Sequence, residues 1–206
     1  MKGKVKGSVH LKKYYDAVEA TPESADAHFK LGTALIGTGF MSRGEKALLR
    51  SVELDPRRVE AWVNLGGIRL SRWDFKGSIE ANERALEFEP LSEVALHNKG
   101  LGHLYLGESE EMTRCFKQVV ELAPKSPAAN YFLGVGLYAL GETQHARAQL
   151  KKAVDMGYSP DPKLVKELER IDEAGSDSVT ILELGSAPEE QTDKVTEQTR
   201  KGEKHA

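Results

Sequence analysis

Residues 59–90 of the 206-residue chain read VEAWVNLGGIRLSRWDFKGSIEANERALEFEP. The stretch has the pattern of two amphipathic helices joined by a short turn. Its marked residues return 34 positions earlier and later. Gly32, Gly66, Gly100 and Gly134 share one register, and Pro22, Pro56, Pro90 and Pro124 share a second. Gly39, Gly107 and Gly141 form a third, at which the second copy carries Trp73. The small or β-branched residues Ser51, Ala85, Val119 and Ala153 form a fourth. Registers in phase at a fixed period are the mark of a stacked-repeat protein.

Each register has a physical reason. A helix pair with one apolar stripe cannot bury it alone and must stack on the next pair. Glycine inside a helix costs about 1 kcal/mol relative to Ala. Its return in every copy predicts two helices approaching with no Cβ between them. The later glycine follows the first helix and suits a left-handed cap. The proline closes the second helix.

Trp62, Leu65 and Gly66, followed by Ala85 and Pro90, resemble the tetratricopeptide repeat. The resemblance runs from Ala25 to about Tyr158, with a half-repeat before it. It implies an all-α fold, a right-handed α-solenoid of stacked helix-turn-helix repeats. Four repeats are expected over 23–158, at 25–58, 59–92, 93–126 and 127–158. Their helix pairs are placed at 25–38 and 42–54, 59–72 and 76–88, 93–106 and 110–122, and 127–140 and 144–156. Residues 1–7 read as a flexible basic arm, and 8–22 as an N-terminal half-repeat with a helix over Leu11–Ala20. Residues 159–174 read as a C-terminal capping helix opened by Asp161 and Pro162. Residues 175–206 read as a disordered acidic tail, too poor in apolar residues to bury a core. Val179–Leu184, VTILEL, is the apolar exception there.

The third repeat departs most from the pattern. Lys99 stands where the others have Leu31, Leu65 and Leu133, and its stem can carry the ammonium outward. Met112 occupies a small position held by Gly44, Ser78 and Ala146. Arg69 and His103 stand where the family is often aromatic. In the second repeat, Asn82 replaces the apolar residue supplied by Leu48, Phe116 and Leu150.

In the family, first helices of successive repeats line a concave face. The resemblance therefore implies four rows of contact positions. They are Phe29, Val63, His97 and Tyr131; Thr33, Gly67, Leu101 and Val135; Ile36, Leu70, Leu104 and Tyr138; and Lys30, Asn64, Asn98 and Phe132. A contiguous apolar surface usually marks an interaction site. A side-chain amide donates to and accepts from a peptide backbone at once. Asn64 and Asn98 are thus expected to hold a partner's main chain, while Tyr131, Phe132 and Tyr138 take an apolar side chain. Some of these residues, such as Leu70, Leu104 and Tyr138, have a second reading as packing between first helices. The cationic clamp by which a family subgroup binds chaperone tails is absent, since its positions hold Phe29, Thr33, Val94 and Asn98.

The composition narrows the function further. Net charge is −3, so no whole-chain attraction to nucleic acid or anionic lipid is implied. The lysine-rich start lacks interleaved aromatics, which argues against a nucleic-acid partner. No apolar run approaches the roughly 20 residues of a membrane span. Cys115 is the single cysteine, and no two histidines form the i, i+4 pair with a Glu that a helical zinc site needs. No metal, cofactor or catalytic residue is expected, and a cytoplasmic location is. The sequence therefore points to a non-catalytic scaffold or adaptor that binds a protein or peptide, extended or helical, in its groove. Self-association through the incomplete first repeat, or service as a regulatory subunit of an enzyme complex, are the alternatives.

Overall fold

The computed structural model describes residues 6–159, with side chains from Leu11 onward. Most of the expected basic arm, the capping helix and the tail with Val179–Leu184 lie outside the described residues. Within them the order is α1 Lys6–Ala20, α2 Ala25–Gly37, α3 Met41–Leu54, α4 Val59–Ser71, α5 Phe75–Phe88, α6 Glu93–Leu106, α7 Ser109–Leu122, α8 Pro127–Ala139 and α9 Thr143–Asp155. There is no strand among the described residues. Each helix packs on the next, and α4 also packs on α6. The result is an α-solenoid of four hairpins, α2–α3 through α8–α9, preceded by α1. Every helix end in the hairpins falls within one residue of its sequence-based position. The first helix starts earlier than expected, at Lys6 rather than Leu11.

The registers act as their chemistry requires. Gly32, Gly66, Gly100 and Gly134 face Leu48, Asn82, Phe116 and Leu150 across each hairpin. A methyl group at any of the four would meet that side chain inside 3.0 Å. α1, α3, α5 and α7 end at Ala20, Leu54, Phe88 and Leu122, each two residues before the register proline. A side chain six residues past that proline then bonds back to its carbonyl. His28 Nε2 does so at 2.8 Å, Trp62 Nε1 at 2.8 Å and Asn130 Nδ2 at 3.1 Å. Leu96 stands at the same position in the third repeat and has no donor to offer.

The first-to-second-helix turns need a left-handed residue. Gly39, Gly107 and Gly141 supply it at φ 86°, 74° and 79°. In the second repeat Trp73 adopts φ 64°, the one positive φ outside glycine among the described residues. An L-residue pays roughly 1–2 kcal/mol for that conformation.

The core is a chain of clusters bridging neighbouring hairpins. Leu48, Val52, Ala61, Leu65, Ile68 and Ala81 join the first two repeats. Leu96, Met112, Phe116, Val119, Leu133 and Leu150 belong to one that joins the last two. The pattern's exceptions are absorbed locally. Met112 is fully buried, filling with thioether the space a small residue leaves. Lys99 reaches Glu83 at 2.8 Å. Arg69 donates to the Gly77 carbonyl at 3.0 Å. His103 Nδ1 lies 2.5 Å from Glu108. Asn82 is fully buried: Nδ2 donates to the Ser78 carbonyl at 2.8 Å, but Oδ1 has no partner.

Candidate partner-binding site

Apart from Thr33, which is exposed on α2, the four rows expected to line the groove divide into three groups. The first is buried. Leu104, Val135 and Tyr138 belong to the core cluster of the last two repeats, with Tyr138 only 4% exposed. For Leu104 and Tyr138 this agrees with their second reading as packing residues, and Val135 is enclosed with them. α8 carries glycines at 134 and 136 that bring neighbouring helices close, so its flanking side chains are enclosed.

The second group is accessible but engaged with the protein's own residues. Phe132 stacks on Phe116 with ring centroids 4.9 Å apart. His97 sits edge-on to both rings, at 5.4 and 5.8 Å. Burial holds the His97 pKa below its ordinary 6.5, against a smaller upward pull from Glu93. Tyr131 stacks on Tyr158 at 4.4 Å. Tyr158 stands one period after Pro124 and so takes the place of the register proline. With no proline there, the chain leaves α9 through Gly157 at φ 88° and lays this ring across Tyr131. Partial burial raises the Tyr158 phenol above its usual value. The aromatic end expected to receive a partner is thus filled from within. At the other end Arg58 lies over the Phe29 ring, 5.2 Å from its centroid, and pairs with Asp26 at 3.5 Å. Lys30 pairs with Asp26 at 2.6 Å in solvent. Lys30 and Arg58 together hold the Asp26 carboxyl below its usual value. Ile36 is half-buried against the cluster of the first two repeats and Val63 against that of the second and third.

The third group stays open. Gly67, Leu70 and Leu101 line a recess of about 320 Å³ between α4 and α6. Ser71, Trp73, Phe75 and Tyr105 complete it, and none of its lining residues is charged. Phe75 and Tyr105 stack at 4.8 Å. Trp73 meets both edge-on, at 5.8 and 5.9 Å. Each such pair is worth about 0.5–1.5 kcal/mol, enough to offset the backbone strain at Trp73. The indole nevertheless remains 54% exposed and Tyr105 37%. Asn64 and Asn98 are half-buried on the same two helices. Asn64 Nδ2 reaches Thr33 Oγ1 only at 3.5 Å. Asn98 makes no hydrogen bond among the described residues, and its amide lies alongside Gly67.

A larger hollow, about 480 Å³, is lined by Leu49, Trp62, Arg69, Glu80, Ala81, Glu83, Arg84 and Glu87. Its charges are mostly satisfied internally: Arg84 pairs with Glu87, Glu83 with Lys99, and Arg69 lies 4.0 Å from Glu45. The smaller apolar recess is the better candidate, because ligand pockets are lined mainly by apolar and aromatic side chains with few polar groups.

Trp73, Phe75 and Tyr105 were not among the rows predicted from sequence. One signal for them was present: a tryptophan in a register held elsewhere by glycine. Cys115 is buried on α7, and burial pushes its thiol pKa up to about 11. Among the described residues no group of three His, Cys, Asp or Glu could hold a metal ion. Among them, too, no helix is long and apolar enough to cross a membrane.

Stacked helical hairpins with an uncharged recess between leading helices define an interaction scaffold of the α-solenoid class. The tetratricopeptide repeat model matches residues 29–93 and 97–161, more than half of the sequence, and the chain belongs to that family. No curated protein matches it in sequence. Among solved structures it is similar to MamA, at 22% identity and a TM-score of 0.67, covering 76% of this chain and 89% of that one. It is similar to PilF of Pseudomonas aeruginosa, at 19% identity and 0.67, covering 81% of each chain. It is also similar to YrrB, described as a TPR protein with an unusual peptide-binding site, at 20% identity and 0.67, covering 80% and 84%. At these identities the likeness concerns the fold.

Proposed function

We propose that this protein is a non-catalytic scaffold that binds an extended peptide across α4 and α6, with one apolar side chain of the peptide seated in the Trp73–Phe75–Tyr105 recess. The observation that carries the reading is the recess itself. Three aromatic rings converge on an uncharged hollow, and the largest of them stays exposed at a backbone position that favours glycine. Rigid rings supply contact area at low entropic cost, which suits an anchor pocket. Asn64 and Asn98 flank it with amides that have little internal work, and each can both donate to and accept from a peptide backbone. The description of YrrB as peptide-binding supports the same class of ligand.

The test begins with peptides selected from a random library on the intact protein. Their affinity is then measured by calorimetry for Trp73→Gly and for Asn64→Ala combined with Asn98→Ala. Each variant is expected to lose about tenfold or more, since one well-made contact is worth at least 1.4 kcal/mol. Unchanged affinity in both variants removes the reading.

A further inference from the structure

We propose that the segment Val179–Leu184 of the same chain docks in the Trp73–Phe75–Tyr105 recess and competes there with outside partners. The inference rests on the peptide-binding reading of that recess and names its resident occupant.

Three observations bear on it. The first is chemical match. The recess is lined without charge, and VTILEL carries a single charge in six residues. Apart from Val195, every Val, Ile, Leu, Met or aromatic residue after Ile171 lies in that segment. It is also rich in β-branched residues, which favour the extended backbone that Asn64 and Asn98 are placed to hold. The second is the direction in which the chain departs. Tyr158 lies against Tyr131 on α8, so the chain passes Ser159 on the side of the solenoid that carries the first-helix rows.

The third is reach. Packed helices stand about 8–10 Å apart and rise about 1.5 Å per residue, so the recess is on the order of 30 Å from Tyr158. With 159–174 as the expected capping helix, that stretch rises about 24 Å at roughly 1.5 Å per residue and the five residues on to Val179 add about 16 Å extended, about 40 Å in all, which still exceeds the span. A tether of this kind gives an effective concentration near 1 mM. Even a segment with an intrinsic Kd of about 0.1 mM would then fill the recess most of the time and weaken an outside peptide roughly tenfold.

The experiment compares the intact protein with the full-length double variant Ile181→Asp, Leu182→Asp. The readout is the indole Nε1–H resonance of Trp73, assigned with Trp73→Phe. The Trp62 indole, bonded to the Pro56 carbonyl, serves as the internal reference. The Trp73 resonance is expected to move in the double variant and to return when a synthetic peptide of residues 176–187 is added. A library-selected peptide is expected to bind the double variant roughly tenfold more tightly than the intact protein. If the Trp73 resonance is identical in both proteins and ignores the added peptide, the proposal is overturned. If in the intact protein it shifts toward the variant's position on dilution, the occupant is a second copy and the same-chain proposal is also overturned. Should the selected peptide still bind in a Trp73-dependent way with equal affinity for both proteins, the peptide-binding reading stands and only the tail proposal falls.

Discussion

The second and fourth repeats share one backbone and use their aromatic residues in opposite ways. In the fourth, Tyr131 is capped by Tyr158, Phe132 is stacked on Phe116, and Tyr138 is buried. In the second, Trp73 and Phe75 meet Tyr105 of the third around an open recess. The difference begins at single positions. Gly141 makes the fourth repeat's turn without a side chain, whereas Trp73 makes the second's with an indole. Where Pro124 closes the third repeat, Tyr158 closes the fourth and folds a ring back over it. In a repeat protein, a groove is therefore filled or left open by substitutions in the turns as much as by the residues along its helices.

The largest expected effect breaks the filled end. Phe116→Ala removes a fully buried ring that supports Phe132 and His97, and should cost about 3–5 kcal/mol in urea unfolding. A loss below about 1 kcal/mol would show that the fourth repeat does not depend on that stack.

Asn82→Leu tests the other end. It restores the residue used opposite Gly32 and Gly134 and deletes a buried oxygen with no partner. Stability should rise by about 1–2 kcal/mol, read as a higher urea midpoint with an unchanged slope. A decrease would mean that the Asn82 bond to the Ser78 carbonyl outweighs the stranded acceptor.

Trp73→Gly should separate stability from binding. Relief of the left-handed strain and loss of two edge contacts nearly cancel, leaving a change within about 1 kcal/mol. Peptide affinity should nevertheless fall about tenfold, a difference of about 1.4 kcal/mol. The matched change in the fourth repeat, Gly141→Ala, should cost roughly 1 kcal/mol of stability and leave affinity untouched.

The smallest effect is pH-dependent and belongs to the filled end. Burial depresses the His97 pKa, so the unfolded chain binds the proton more readily than the folded one. Stability contributed by neutral His97 is intact above about pH 6.5 and is lost as pH falls below it toward the depressed native value. Urea midpoints at about pH 7.5 and about pH 5.5 should differ less in His97→Gln than in the intact protein. An equal drop in both proteins would place the acid sensitivity elsewhere.

The fold was legible because its causes are local and repeated. The close-approach Gly, the Pro and the small residue each state their constraint four times and the turn Gly three times, and helix ends follow from caps and turns within a few residues of chain. The candidate site was legible only in part. Gly67, Leu70 and Leu101, among the positions the resemblance implied, line the recess, and Asn64 and Asn98 lie on the same two helices. Leu104, Val135 and Tyr138 share those registers and are nonetheless buried, because register gives direction and the neighbour's bulk decides exposure. At the expected aromatic end, the stacking of Tyr158 on Tyr131 was not legible in the sequence, because its approach depends on how α9 terminates.

Sequence alone determined the period, the hairpins, the close helix crossings and the family. Those properties are set by backbone conformation and by whether a Cβ fits, which neighbouring residues dictate. Only tertiary structure decided which aromatic groups are closed and which are open. Whether a ring meets solvent depends on side chains from a different hairpin, tens of residues away, and no single repeat contains that information.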